Sequence, residues 1–167
     1  MKNKILMFTV IVLSSLSIAG DFGGYTIFQY NESAFEIKRV YFQYTDNLSD
    51  NLFLKIRYDV ERDGDNKDGK LETYLKNVYV DWKIKDLGKV SLGLIGTNSY
   101  DIQEENWGYR FIEKSPLDLN TFTHTADFGI GISKKIGNFN ISGQILNGEG
   151  YKTKSSDGNF VTYLRAV

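Results

Sequence analysis

The strongest feature of this sequence is the alternation of apolar and polar residues within segments of about ten residues. Residues 51–61 show it best, because the two residue classes occupy opposite parities: Leu52, Leu54, Ile56, Tyr58 and Val60 against Lys55, Arg57, Asp59 and Glu61. A period of two residues is that of a β-strand whose two faces meet different surroundings. The alternation therefore predicts strands with one apolar and one polar row, and no window of the sequence has a comparable helical period.

The same pattern recurs along the chain and predicts seven or eight strands. The predicted segments are Gly24–Tyr30, Phe35–Tyr44, Asn51–Glu61, Thr73–Ile84, Lys89–Thr97, Thr125–Ser133, Asn138–Gln144 and Phe160–Val167. The second segment changes phase at Lys38-Arg39, which predicts a β-bulge. In the fourth, the pattern assigns Tyr74 to the apolar row and Thr73 to the polar row.

Short and long connections alternate between these segments. Short turns are predicted at residues 46–50, 85–88 and 136–138, with longer connections between them. One tight rim and one elaborated rim are typical of an up-and-down outer-membrane barrel, and a soluble sandwich need not keep that alternation.

The first 19 residues have the pattern of a secretory signal peptide. Two lysines precede an apolar run over residues 5–12, and the small residues Ser17 and Ala19 precede the expected cleavage point. The run is shorter than the ~20 residues of a membrane-spanning helix. We therefore expect export, with residues 20–167 as the mature domain.

Composition excludes several classes of function. Without cysteine the chain has no disulfide, thiolate metal site or cysteine nucleophile, and His124 is its only histidine, which argues against multi-histidine zinc sites and Ser-His-Asp catalysis. Its 20 basic and 21 acidic residues nearly balance, so charge does not favour nucleic acid. We find no catalytic pattern and no cofactor motif.

Residues 63–70 invite comparison with a calcium-binding EF-hand loop. With Gly69 at loop position 6, Gly64 and Leu75 stand at positions 1 and 12, where ligands are required. We therefore expect a polar hairpin loop and no metal site.

Three features favour lipid, rather than a protein core, as the surroundings of the apolar row. The strands approach the ~9–11 residues that cross a bilayer, the chain is exported without cysteines, and aromatic residues lie near strand ends, as in an interfacial girdle. The predicted fold is an all-β, antiparallel up-and-down transmembrane β-barrel, whose polar row lines a lumen.

The polar row supplies the candidate pore-lining residues. They are Lys38, Arg39, Lys55, Arg57, Asp59, Asn77, Asp81 and Asp127. If this row faces a lumen, the four basic residues form a ladder that favours anions. If the protein is a soluble sandwich, they are an ordinary solvated face.

The longest connection, residues 98–120, is rich in aromatic and charged residues and contains the only proline. Loops longer than ~12–15 residues are usually functional or disordered, and the aromatic content argues against disorder. Two placements stay open: against the inner wall, where its charges would line a constriction, or outside, folded over its own aromatics. The candidate constriction residues are Glu104, Glu105, Trp107, Tyr109, Arg110, Glu113 and Lys114.

Four short segments resemble the phosphate-selective porin O/P family. Phe35–Arg39 is similar to its early basic strand, Trp107–Ser115 to its aromatic stretch ending in Glu-Lys/Arg-Ser, Ala126–Ile130 to a strand start, and Asn147–Tyr151 to an Asn-Gly-x-Gly element. The resemblance covers most of residues 34–151. The family's Lys-x-Pro-Phe-Gly element is absent.

The resemblance implies an outer-membrane barrel of about 16–18 strands, trimeric in known members, that passes small solutes or anions by diffusion. It implies no catalytic residues and no cofactor, with outer-membrane lipids and small solutes or ions as partners and a homotrimer as the assembly. We expect the chain to be the N-terminal half of such a barrel, truncated at its C-terminal end. The alternatives are a small closed eight-stranded outer-membrane barrel with a structural or adhesive role, and a soluble exported β-sandwich that binds a ligand through residues 98–120.

Overall fold

The computed structural model describes residues 20–31, 34–62, 69–154 and 157–167, so the predicted signal peptide and residues 63–68 of the calcium-like loop lie outside the described part. Within that part, eight antiparallel strands form one sheet in which sequence neighbours pair. The strands are β1 Asp21–Asn31, β2 Ala34–Ser49, β3 Leu52–Arg62, β4 Leu71–Ile84, β5 Gly88–Gly96, β6 Ala126–Ile136, β7 Phe139–Leu146 and β8 Val161–Ala166. The predicted antiparallel up-and-down fold is confirmed.

Each predicted segment corresponds to one observed strand, and the two rims differ as expected. The tight turns are at residues 50–51, 85–87 and 137–138, whereas residues 97–125 and 147–160 form long connections at the opposite rim. The turn predicted over residues 46–50 is wrong in extent. β2 continues to Ser49, which pairs with Leu52, and a register irregularity there absorbs one residue.

A β-bulge lies where the sequence predicts it. Ile27 pairs with Arg39 and Phe28 with Ile37, so Lys38 is the extra residue of β2. A bulge of this kind places two residues opposite one on the partner strand. As a result, the basic side chains of Lys38 and Arg39 both lie on the polar side of the sheet.

A second bulge, in β4, is not predicted. Arg57 pairs with Asn77 and Tyr58 with Leu75, which leaves Lys76 as the extra residue. The phase of β4 reverses at this point. The assignment of Tyr74 to the apolar row and Thr73 to the polar row is therefore wrong, because the bulge exchanges their faces.

The two faces of the sheet have the reverse of the burial found in a soluble β-protein. We call the face that carries Arg39, Asp59 and Asp81 the inner face. Each of these three residues is at most 8% exposed. On the outer face, Trp82 and Leu92 are 54% and 62% exposed. Apolar side chains thus point outward and charged side chains inward, as in a membrane barrel.

The sheet does not close on itself. Among the described residues, β1 pairs with β2 alone and β8 with β7 alone. The eight strands therefore do not form the small closed barrel considered above. A β-sandwich is also wrong, since it needs two sheets and these strands form one.

The long β5–β6 connection contains two helices that the sequence did not predict: α1 over Asn98–Trp107 and α2 over Pro116–Leu119. No helix in the described part of the chain is long and apolar enough to cross a membrane. α1 lacks an apolar stripe, and its position depends on polar contacts with the sheet, described below.

The reversal of faces predicts which side chains contact lipid. Because the chain has no native cysteine, single-cysteine variants can be spin-labelled without background. We expect labels at Ile56→Cys and Ile130→Cys to be more accessible to oxygen than to a water-soluble relaxant in bilayers. Lys55→Cys, the neighbour of Ile56 on the opposite face, is the matched control and should show the reverse; equal accessibility at residues 55 and 56 would contradict the assignment.

Candidate functional site

The β5–β6 connection, residues 97–125 and called the inner loop here, begins against the inner face of β7 and β8. The backbone N–H of Asn98 donates to Gln144 Oε1 at 2.8 Å, and its side-chain Nδ2 donates to Ser142 Oγ at 3.1 Å. Arg165 Nη1 donates to the backbone oxygen of Asn98 at 2.9 Å. These three bonds fix the start of α1 to the polar side of the sheet.

The same loop also reaches β2, near the opposite edge of the sheet. Lys38 Nζ, at the bulge of β2, donates to the backbone oxygen of Ile112 at 2.8 Å. The loop therefore spans the inner face from β8 to β2. Of the two placements left open by the sequence, the geometry favours the one against the inner wall.

Four of the seven candidate constriction residues take part in side-chain hydrogen bonds within the loop that fix its fold. Trp107 Nε1 donates to the backbone oxygen of Glu113 at 3.0 Å, and Ser115 Oγ donates to Glu104 Oε1 at 2.6 Å. The backbone N–H of Lys114 donates to the Glu113 carboxylate at 2.7 Å, which lowers the pKa of Glu113.

The remaining candidates, Glu105, Tyr109 and Arg110, differ in exposure. Glu105 and Tyr109 are exposed, although the Tyr109 ring packs edge-on against Trp107 at 5.9 Å, and Arg110 is half-buried. The loop's apolar side chains Phe111 and Ile112 are 63% and 60% exposed. Backbone and polar contacts, rather than these side chains, hold the loop in place.

The inner face carries a buried charge cluster on β2, β3 and β4. Asp59 is completely buried; Arg39 Nε lies 3.1 Å from its Oδ1 and Lys76 Nζ lies 3.6 Å from its Oδ2. Arg39 also forms an ion pair with Glu61. Burying a charge is costly unless it is paired, and the bulges of β2 and β4 supply the two cations.

The β7–β8 connection crosses the inner face to this cluster. The Tyr151 hydroxyl donates to Asp59 Oδ2 at 3.2 Å, and Lys152 pairs with Glu61 while its Nζ lies 4.1 Å from the centre of the Tyr74 ring. Burial and the nearby Asp59 carboxylate raise the pKa of Tyr151, so the phenol stays protonated and can donate. Two consecutive residues of this connection are thereby fixed on β3 and β4.

All eight candidate pore-lining residues lie on the inner face or at its bulge, but they have different partners. Asp127 is buried, and its carboxylate accepts the backbone N–H groups of Phe128 at 2.7 Å and Gly148 at 2.5 Å. Asp81 accepts from Lys89 at 2.9 Å and from Ser91 at 2.5 Å. The expected basic ladder is therefore interrupted, since Arg39 is neutralised by carboxylates.

Lys55 and Arg57 differ both from the paired charges and from Lys38, whose Nζ is bonded to the backbone of the inner loop. Neither forms an ion pair within the described part of the chain, and Arg57 donates through Nε and Nη2 to the neutral Gln43 Oε1 at 2.9 and 2.5 Å. Both line a cavity of about 240 Å³ between the inner face and the inner loop. Asp101 and Glu104 line the loop side of the same cavity.

A family model described as phosphate-selective porin O and P matches residues 15–166. The chain belongs to this family. The match confirms the resemblance inferred from the short segments and extends it over nearly the whole chain. Neither a curated protein nor a solved structure matched the chain.

Membership of the phosphate-selective porin O and P family bears on the kind of function to expect. An outer-membrane porin family implies a channel rather than an enzyme. The described residues contain no group of three or more side chains suited to hold a metal ion. The calcium-like loop is not informative here, because residues 63–68 lie outside the described part.

Sequence reasoning missed four inner-face groups: Tyr41, Gln43, Lys76 and Tyr151. Tyr41 and Gln43 share the parity of Arg39, so the corrected phase after the first bulge places them in the polar row. Lys76 is hidden because the bulge in β4 lies within an apparently regular alternation. Tyr151 belongs to a loop, where no period indicates which way a side chain points.

The bond from Tyr151 to a buried carboxylate yields a stability prediction. We expect Tyr151→Phe to lower the free energy of unfolding by about 1.5–3 kcal/mol, the range for a hydrogen bond to a charged group. Tyr109→Phe is the matched control, because Tyr109 is 59% exposed and its hydroxyl has no hydrogen bond among the described residues. Denaturant unfolding in detergent checks both, and equal stability of the two variants would contradict the described role of Tyr151.

Proposed function

We propose that this chain forms part of the wall of an outer-membrane channel through which small polar solutes diffuse passively. The observation that carries the proposal is the reversal of faces: apolar side chains such as Leu92 and Ile130 are exposed on the outside, whereas the charged row is buried inside. In a bilayer this arrangement places hydrocarbon outside and water inside. Family membership supports the same conclusion.

The unpaired edges support a barrel larger than eight strands. An unpaired edge leaves backbone N–H and C=O groups without partners, and each such group costs several kcal/mol in hydrocarbon. We propose that further strands pair with the unpaired edges of β1 and β8. Barrels of about 16–18 strands leave an aqueous channel, whereas eight strands leave an interior filled by side chains.

Opposite charges across the cavity support a constriction at the inner loop. Lys55 and Arg57 line it from the wall, and Asp101 and Glu104 line it from the loop. A solute that passes between them meets cations on one side and carboxylates on the other. Because the wall cations have no ion-pair partner within the described residues, we propose that anions are favoured there.

Export and assembly complete the proposal. Residues 1–19 would direct the chain out of the cytoplasm, and residues 20–167 would insert in the outer membrane. A homotrimer is the expected assembly.

Channel formation can be tested directly in planar bilayers. Detergent-refolded protein from the full gene should give discrete conductance steps. Absence of steps from a preparation that shows a heat-modifiable barrel on a gel would contradict the proposal and favour a structural role.

Charge reversal at the wall tests which residues face the solute. We expect Lys55→Glu and Arg57→Glu each to lower the anion-to-cation permeability ratio by at least about three-fold, since charges ~6 Å apart interact by roughly 0.7 kcal/mol even in water. Reversal potentials in a salt gradient measure the ratio. Lys134→Glu, in the outward row of β6, is the control; an unchanged ratio in the first two variants would remove both residues from the solute path.

A further inference from the structure

Tyr41, at the centre of the inner face of β2, has three cationic groups around its ring. Arg39 Cζ, Arg57 Cζ and Lys76 Nζ lie 5.6, 5.7 and 5.1 Å from the ring centre. Cations within about 6 Å of an aromatic ring centre are attracted to its face. The side chain is 6% exposed, and the Tyr25 ring packs against it at 5.0 Å.

The hydroxyl and the ring of Tyr41 serve different partners. The hydroxyl oxygen accepts from Arg39 Nη1 at 3.2 Å and from Lys76 Nζ at 3.3 Å. These two cations also contact carboxylates, so the hydroxyl belongs to the paired cluster around Asp59. Arg57 contacts the ring of Tyr41 but not its hydroxyl. The other partner of Arg57 is the amide oxygen of Gln43.

Both partners of Arg57 are therefore neutral. An aromatic face and an amide oxygen can fix a guanidinium group without cancelling its charge, whereas the carboxylates next to Arg39 neutralise that residue. Arg57 also lines the cavity below the inner loop. Its charge is thus held in place and remains available to a solute.

We propose that Tyr41 is a positioning residue that, together with Gln43, holds Arg57 toward the cavity and so sets the charge preference of the channel. The proposal rests on the proposed channel function for its effect on permeation. The positioning of Arg57 itself does not depend on that function.

Two measurements separate the positioning of Arg57 from its effect on permeation. The first is the rate at which phenylglyoxal modifies Arg57 in the refolded full chain, followed by mass spectrometry. We expect this rate to rise about two- to five-fold in Tyr41→Leu, the factor that matches a weak cation–π contact. Tyr41→Phe keeps the ring and should retain the wild-type rate, although it loses the two hydrogen bonds to the hydroxyl.

The second measurement is the anion-to-cation permeability ratio from reversal potentials. It should fall in Tyr41→Leu and remain close to wild type in Tyr41→Phe. Tyr58→Leu is the matched control for both measurements, because Tyr58 adjoins Arg57 but lies on the outer face. Gln43→Leu removes the other neutral partner and should also raise the modification rate; it is the test variant if Tyr41→Leu does not refold.

The outcomes are distinguishable. An unchanged modification rate of Arg57 in both Tyr41→Leu and Gln43→Leu would overturn the positioning role. A raised rate in Tyr41→Phe equal to that in Tyr41→Leu would also overturn it, because the ring would then not be the group that holds Arg57. A raised rate in Tyr41→Leu, together with a wild-type protein that forms no channel, would leave the positioning role intact and defeat the proposed function alone.

Discussion

Continuous pairing of backbone groups is the constraint on which the rest of the structure depends. In hydrocarbon no water can satisfy an N–H or C=O group, so a membrane-crossing chain must pair them internally. The neighbour-to-neighbour ladder from β1 to β8 does this. Once the backbone is satisfied, the outer side chains can be apolar, and charged groups such as Arg39, Asp59 and Asp81 can collect on the inner face.

Collecting charges on one face creates a second problem, which the long connections solve. Asp59 is completely buried and needs several donors at once. Arg39 and Lys76 reach it from the neighbouring strands, and Tyr151 reaches it from the β7–β8 connection. The wall and its loops therefore stabilise each other, and within the described residues Lys55 and Arg57 face the cavity without an ion-pair partner. In the proposed channel, the charge offered to a solute is what is left after this internal pairing.

The strands were predictable from sequence, whereas the arrangement of the site was not. Period-two alternation depends on which side of a strand meets lipid. Because each residue of a strand contributes to this pattern, the errors in strand bounds fall at the ends, and the error in face assignment falls at the bulge of β4. α1 was missed because its residues have no apolar stripe, and contacts between Asn98 and the distant Ser142 and Gln144 determine its position. Pairing between residues about ninety positions apart, as in Tyr151 and Asp59, leaves no local pattern.

The two bulges explain why the part of the site with the most charged side chains was the hardest to predict. A regular strand gives its inner face one residue in two, whereas a bulge gives it two in succession. Lys38-Arg39 and Lys76-Asn77 use this to bring two additional lysines to the inner face. In β2 the adjacent basic residues reveal the bulge, because they interrupt the alternation. In β4 the apolar residues on both sides of Lys76 keep an apparent phase, and only pairing with β3 shows that the phase has changed.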